Sequence, residues 1–303
     1  MLKYNYMKSF FLSPLGAAWI CWAIVGFSPL IGKWASGKIS PVLLVFLGSC
    51  LGIIYFLPWI FKNQQRSFLF SLRYFPYFLF IGTFGTALPF TLLLTALHYT
   101  TPANAAILQQ TELFYAFLFG ILLFKEKPSV KQFFAAMLIL AGSGFILLQD
   151  HYTAHWRGDL LIIGSTWMLQ AASCVAKKLP AHFDYRLIAM ARNLFAIPAL
   201  LLLFCIYPFG DNPFFFSQNW ETAVILGYTG FIKYGLAMVV WYKAIRALEL
   251  SKVTAIYLSY PALSLILSTA FGLEKVTLYQ LAGLGLTLAG AWKMSQITIK
   301  KDD

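Results

Sequence analysis

The fold class this sequence predicts is all-α integral membrane: ten transmembrane helices arranged as two inverted five-helix repeats. Three observations carry that expectation. The 303-residue chain is 60% apolar and only 11% charged, whereas a soluble domain carries about 25% charged residues. There is too little polar surface to cover the protein in water. Runs of about 20 apolar residues, the length that crosses a bilayer as a helix, recur from end to end. Two stretches 148 residues apart also read as copies: Glu126-Lys127 aligns with Glu274-Lys275, Gln132 with Gln280, Leu138 with Leu286, and Leu140-Ala141-Gly142 with Leu288-Ala289-Gly290. Alanine and glycine matches are cheap in so apolar a chain, but glutamate, lysine and glutamine matches are not. An offset of half the length implies duplication of the whole unit, giving repeats at 1–150 and 151–303.

The spans are expected at 11–32, 42–61, 74–97, 102–124, 131–148, 159–180, 187–207, 222–242, 253–273 and 277–296. Lys3 and Lys8 before the first run resemble a signal peptide, but the run 11–31 exceeds an h-region of ~7–15 residues, so a retained first span is expected. Pro41, Pro102, Pro128, Pro180 and Pro208 open or close spans, as proline tolerated in a first helical turn does. All the loops are short and leave no room for an inserted soluble domain.

Orientation follows from lysine and arginine. With the N-terminus in the cytoplasm, inside segments hold 17 of the 23 basic residues. Outside segments hold four (Lys33, Lys38, Arg157 and Lys275), and Arg192 and Lys233 lie within spans. Both termini are therefore expected in the cytoplasm, in the cytoplasmic (inner) membrane. Because each repeat has five spans, Glu126-Lys127 falls inside and Glu274-Lys275 outside, which makes the repeats inverted. The net charge of +12 is spread over loops, so no nucleic-acid partner is expected. Cys21, Cys50, Cys174 and Cys205 all fall in apolar runs and read as packing residues. No cofactor or metal is expected; His151 and His155 read as part of a solvated loop. No G-x-x-x-x-G-K-[ST] occurs, which argues against ATP hydrolysis.

Two motifs then carry a family resemblance. One is acidic, after the fourth span of each repeat: Phe-Lys-Glu-Lys at 124–127 and Leu-Glu-Lys at 273–275. The other is the small-residue stretch Leu-Ala-Gly-Ser-Gly at 140–144 and Leu-Ala-Gly at 288–290. With these the chain resembles the ten-span drug/metabolite transporter superfamily of the EamA type over residues 12–296. Pro261 fits the family's mid-span proline in the ninth span, whereas the first repeat has Leu113 there, after Glu112. The resemblance implies transport of small organic solutes through a central cavity, lined by the first, third, fourth, sixth, eighth and ninth spans.

Charges inside a bilayer are costly and therefore candidates for function. Glu112 sits about ten residues into the fourth span, roughly 15 Å deep at ~1.5 Å per residue, and Lys233 is about as deep in the eighth. Equal depth permits an ion pair, direct or through substrate, and Glu112 is the candidate proton carrier. A structural bridge fixing helix packing is the alternative. Arg192, near the inner end of the seventh span, is expected to snorkel or pair structurally. Gln109 lies one turn before Glu112 and faces either substrate or a neighbouring helix. Trp19 and Trp22 on the first span align with Trp167 and Gln170 on the sixth, and read as cavity walls or, for the tryptophans, as an interfacial belt. Tyr234, Tyr257 and Tyr260 read equally as cavity lining or interhelical hydrogen bonders. Gly82, Gly85, Pro89, Gly227, Gly230 and Gly235 permit either bending or close packing, while Gly283, Thr287 and Gly290 form a packing face. The expected function is a secondary transporter, moving a small polar metabolite, an amino acid or other zwitterion, by alternating access, with H+ as a possible coupling ion and membrane lipid as its solvent. A carrier of a cationic or aromatic metabolite is the competitor. A polytopic enzyme acting on lipid is the alternative of another class.

Overall fold

The computed structural model describes residues 13–35, 37–100, 102–147, 155–206, 214–272 and 276–297. Lys3, Lys8, Asp150, His151, Pro208, the 273–275 motif, Lys300 and Lys301 lie outside them. Nine helical spans among the described residues are long and apolar enough to cross a membrane, from Pro14–Gly32 to Leu250–Ala270. The tenth is the 19-residue helix Leu278–Gln296, opened by a capping box in which Thr277 and Gln280 satisfy each other's backbone amides. It is less apolar because it carries Gln280, Thr287, Lys293 and Ser295, and it lies along the fifth span, Val130–Leu147. Apart from an isolated bridge between Ile39 and Phe216, no strand occurs among the described residues.

Helix contacts come in matched pairs. The first span packs on the second half of the eighth, and the sixth on the second half of the third. The second packs on the middle of the eighth, and the seventh on the third; the fourth packs on the sixth, and the ninth on the first. Each pair is exchanged by swapping the repeats. The loops sort accordingly. At one end, Glu126, Lys177, Arg246 and Gln65 reach across to loops that follow even-numbered spans. At the other, Lys38 pairs with Glu221 and Thr100 donates to Asp159, both joining loops that follow odd-numbered spans. The fold is two inverted five-helix repeats.

Small residues set the closest approaches. A Cβ at Gly142 would meet the Thr287 backbone nitrogen at 2.5 Å, and one at Gly290 the Ala135 carbonyl oxygen at 2.8 Å. The fifth and tenth helices therefore touch backbone to backbone, the packing expected of that face. Gly82 abuts the Phe195 backbone of the seventh span, and Gly230, its copy, abuts Leu51 of the second. Cys21 and Cys174 are buried and no described cysteine is bonded to another.

The spans are interrupted where the copies coincide. The third span widens into a π-helix at Thr83–Ala87 and the eighth at Tyr228–Leu236. The fourth breaks between Pro102–Gln109 and Thr111–Phe124, and the ninth between Leu250–Leu258 and Tyr260–Ala270. Gln110 fills the first break and Leu258, its equivalent 148 residues on, ends the helix before the second at Ser259; the Gln110 amide donates to the Leu258 carbonyl at 3.3 Å. The pseudo-twofold axis thus passes through a hydrogen bond between equivalent positions.

At the Glu126 end, several polar side chains join the repeats. Glu126 accepts from Lys177 Nζ at 2.7 Å and from the Leu250 amide at 3.0 Å, capping the ninth helix. This is the helix-capping role its loop position suggests. Gln132 donates to Glu249, whose carboxyl burial raises above the ordinary carboxylate range. Lys252 is 5% exposed and donates to the Ser295 and Ile297 carbonyls, closing the tenth helix. The charge pattern marks Lys252 as a loop residue, but its ammonium is drawn to the free carbonyls of a helix C-terminus.

Candidate functional site

Glu112 lies in the first turn of Thr111–Phe124, just past the break at Gln110, and is 5% exposed. Gln170 of the sixth span, fully buried, donates its amide to Glu112 at 2.7 Å and lies 3.3 Å from the Thr254 hydroxyl of the ninth. Three spans from both repeats therefore converge on one carboxylate. Gln170 Oε1 is buried without a partner, and so is Nε1 of Trp22, its copy in the first repeat. An orphaned buried polar atom costs roughly 1–3 kcal/mol, so this equivalent pair is where a polar ligand atom would be welcome.

Two tyrosines of the ninth span stand near the carboxylate. Tyr257 and Tyr260 stand within electrostatic reach of Glu112 and lie 6.2 Å apart, ring to ring. Trp241 meets Tyr257 at 5.3 Å, and Trp19 meets Trp22 edge-on at 5.3 Å. Gln109 takes a long 3.5 Å contact from the Tyr260 hydroxyl and bonds its own helix at Ala105; of its two expected roles the structure shows contact with a neighbouring helix. Trp167 departs from the buried stripe: it is 40% exposed and packs on Phe84, while Gln170 one turn on is sealed inside.

Lys233 is not within ion-pair distance of Glu112. It sits in the π-helical part of the eighth span with its ammonium 4.8 Å from the centre of the Phe90 ring. Equal depth along two helices fixes height but not azimuth, and the wide turns rotate Lys233 toward the third span. Tyr234 goes with it, 2% exposed and packed on Phe90 at 5.4 Å.

Of the two expectations for Arg192, snorkelling and structural pairing, the structure shows the second. The side chain is 5% exposed and does not snorkel. Its guanidinium turns inward, donating from Nε to Thr86 at 2.7 Å and from Nη2 to the Gly85 carbonyl, with Nη1 against the Met238 sulfur. Asn193 beside it donates to the Tyr234 carbonyl at 3.0 Å. Consecutive side chains of the seventh span thus grip backbone carbonyls in both π-helical segments. A π-helix leaves carbonyls without their usual i+4 donors, and nothing in residue type or spacing announces which side chain supplies the substitute. Gln110 and Thr254 were missed. The one usable signal was that Gln110 and Leu258 are 148 residues apart.

Comparison with known proteins agrees with this fold. The profile of the EamA-like transporter family matches residues 14–148 and again 156–296. The chain belongs to the EamA-like transporter family. An uncharacterized transporter of Archaeoglobus fulgidus is 25% identical over 213 residues, 69% of this chain and 72% of that protein. One from Methanothermobacter thermautotrophicus is 25% identical over 171 residues, 55% of this chain and 48% of its own length. A solved structure titled "Crystal structure of protein" superposes with a TM-score of 0.76 at 17% identity, covering 93% of this chain and 99% of the other, and shows the same fold. The EamA-like chain is a multi-pass membrane protein of a transporter family.

Proposed function

We propose that this protein is a secondary transporter that carries a small polar metabolite, an amino acid or other zwitterion, across the cytoplasmic membrane by alternating access. The observation that carries the reading is Glu112. It is a buried carboxylate where the fourth, sixth and ninth spans meet, beside the orphaned Oε1 of Gln170, whose copy Trp22 carries a second orphaned polar atom. The repeats, 1–150 and 151–303, rock about this site, with the matched interruptions of the third, fourth, eighth and ninth spans as flexing points. Both termini face the cytoplasm, by the 17-to-4 distribution of basic residues. Glu112 takes up and releases the coupling proton. Gln109, Gln170, Trp19, Trp22, Trp167, Tyr257 and Tyr260 shape one side of the path, and Lys233 and Tyr234 the other.

Counterflow in proteoliposomes tests this. Labelled amino acid should enter faster when unlabelled amino acid is trapped inside, because only an alternating carrier exchanges in this way; a membrane enzyme or a pore does not. Glu112→Gln should retain exchange but lose acceleration by an inward proton gradient, and full proton-coupled uptake by that variant would refute the coupling role. The second reading, a cationic or aromatic metabolite, is favoured by Tyr257 and Tyr260 near Glu112. It predicts counterflow of quaternary amines rather than amino acids.

A further inference from the structure

We infer that Arg192 and Lys233 form the anion subsite of this transporter, and that its substrate carries a carboxylate bound between them over Phe90. The inference rests on the transport reading above and narrows its substrate class. The two cations come from different spans of the second repeat, yet converge on one ring of the first. Lys233 Nζ lies 4.8 Å from the Phe90 centroid and the Arg192 guanidinium carbon 5.7 Å from it. Lys233 stands within electrostatic reach of Arg192. Among the described residues no carboxylate lies within ion-pair distance of either, whereas Lys38–Glu221 and Lys177–Glu126, which do pair, lie near the ends of spans.

Two like charges brought together in a membrane core, with only neutral acceptors, form an arrangement that disfavours itself until an anion arrives. Thr86, the Gly85 carbonyl and the Met238 sulfur orient the guanidinium but do not neutralise it. A structural arginine serving only to cap the π-helical carbonyl would not need a lysine on the same ring. The ring suits the purpose: Phe90 holds both cations at its face while leaving their remaining donors to a planar carboxylate. Glu112 is within electrostatic reach of Arg192 and supplies the opposite pole, so a substrate with carboxylate and ammonium spans the two.

The test uses the purified full-length protein and three molecules sharing a skeleton: 4-methylpentanoate, 3-methylbutylamine and leucine. Thermal unfolding in detergent reads binding. The expected result is stabilisation by 4-methylpentanoate and by leucine, and none by the amine. Lys233→Gln should weaken the carboxylate response about tenfold or more, and Arg192→Lys should keep more of it than Arg192→Gln. If Arg192→Gln does not fold, Lys233→Gln carries the test alone, because among the described residues its ammonium rests on Phe90 and on no hydrogen-bond acceptor. Stabilisation by the amine but by neither carboxylate, no response to either carboxylate, or a carboxylate response unchanged in the variants overturns the anion subsite. A response to 4-methylpentanoate but not to leucine would keep the subsite and refute the zwitterion reading instead.

Discussion

Glu126 and Lys177 show how a single side chain at the end of this bundle is used. Their side chains are 8% and 15% exposed, and Glu126 also receives the Leu250 amide. Removing one partner leaves a poorly solvated charge, at a cost of about 3–5 kcal/mol. Lys177→Met should therefore lower thermal stability more than the double variant Lys177→Met, Glu126→Gln, which a double-mutant cycle in detergent would measure. Glu249 adds a pH dependence. Burial raises its carboxyl above the ordinary value, so the folded state holds its proton longer than the unfolded chain. Stability from this group is present at acid pH, below the unfolded value, and is lost as pH rises through the folded one. Glu249→Gln should flatten the fall in melting temperature across that window; an unchanged slope would assign it to another group. Lys252 and Arg192 were both identifiable as basic residues near span ends. Neither partner set was legible, because backbone carbonyls leave no mark in residue type.

Elements carry the next lesson. Span number and order were readable because crossing length and hydropathy are one-dimensional properties. The fourth span opens at Pro102 and the second at Pro41, as proline in a first turn anticipates. Interior irregularities were only half readable. Gly82 and Gly230 marked the right helices, but whether they bend or pack was open, and the structure shows close contact beside a wide turn. Gly290→Leu should separate the fifth and tenth helices, costing about 1–3 kcal/mol or more by overpacking. Gly285→Leu, on the same helix with open space at its Cβ, should be nearly neutral; equal losses of thermal stability would contradict the packing assigned to that face.

For the whole molecule, inversion makes a sharp prediction. Val130 and Leu278 are equivalent residues opening the fifth and tenth helices, 85% and 84% exposed. In a background lacking Cys21, Cys50, Cys174 and Cys205, a cysteine at each should react with a membrane-impermeant maleimide from opposite sides of the membrane. The Val130 position should react from the cytoplasm. Labelling from the same side would break the inverted topology. A bis-maleimide bridging cysteines at Lys38 and Glu221, which tie the repeats together at one end, should abolish counterflow if the halves rock.

What the sequence determined by itself was whatever depends on composition along the chain: a membrane solvent, ten spans, a duplication, and its inversion from the distribution of lysine and arginine. Glu112 and Gln170 were each legible as candidates because a polar group in hydrocarbon is conspicuous. Their meeting at 2.7 Å was not, nor was the separation of Lys233 from Glu112. Tertiary structure decided those, because a membrane helix's rotation is set by packing against its neighbours, and here two π-helical segments alter that rotation midway. The same segments hold the Gly85 carbonyl that Arg192 turns inward to meet, so the placement of this core charge is one that only the fold could specify.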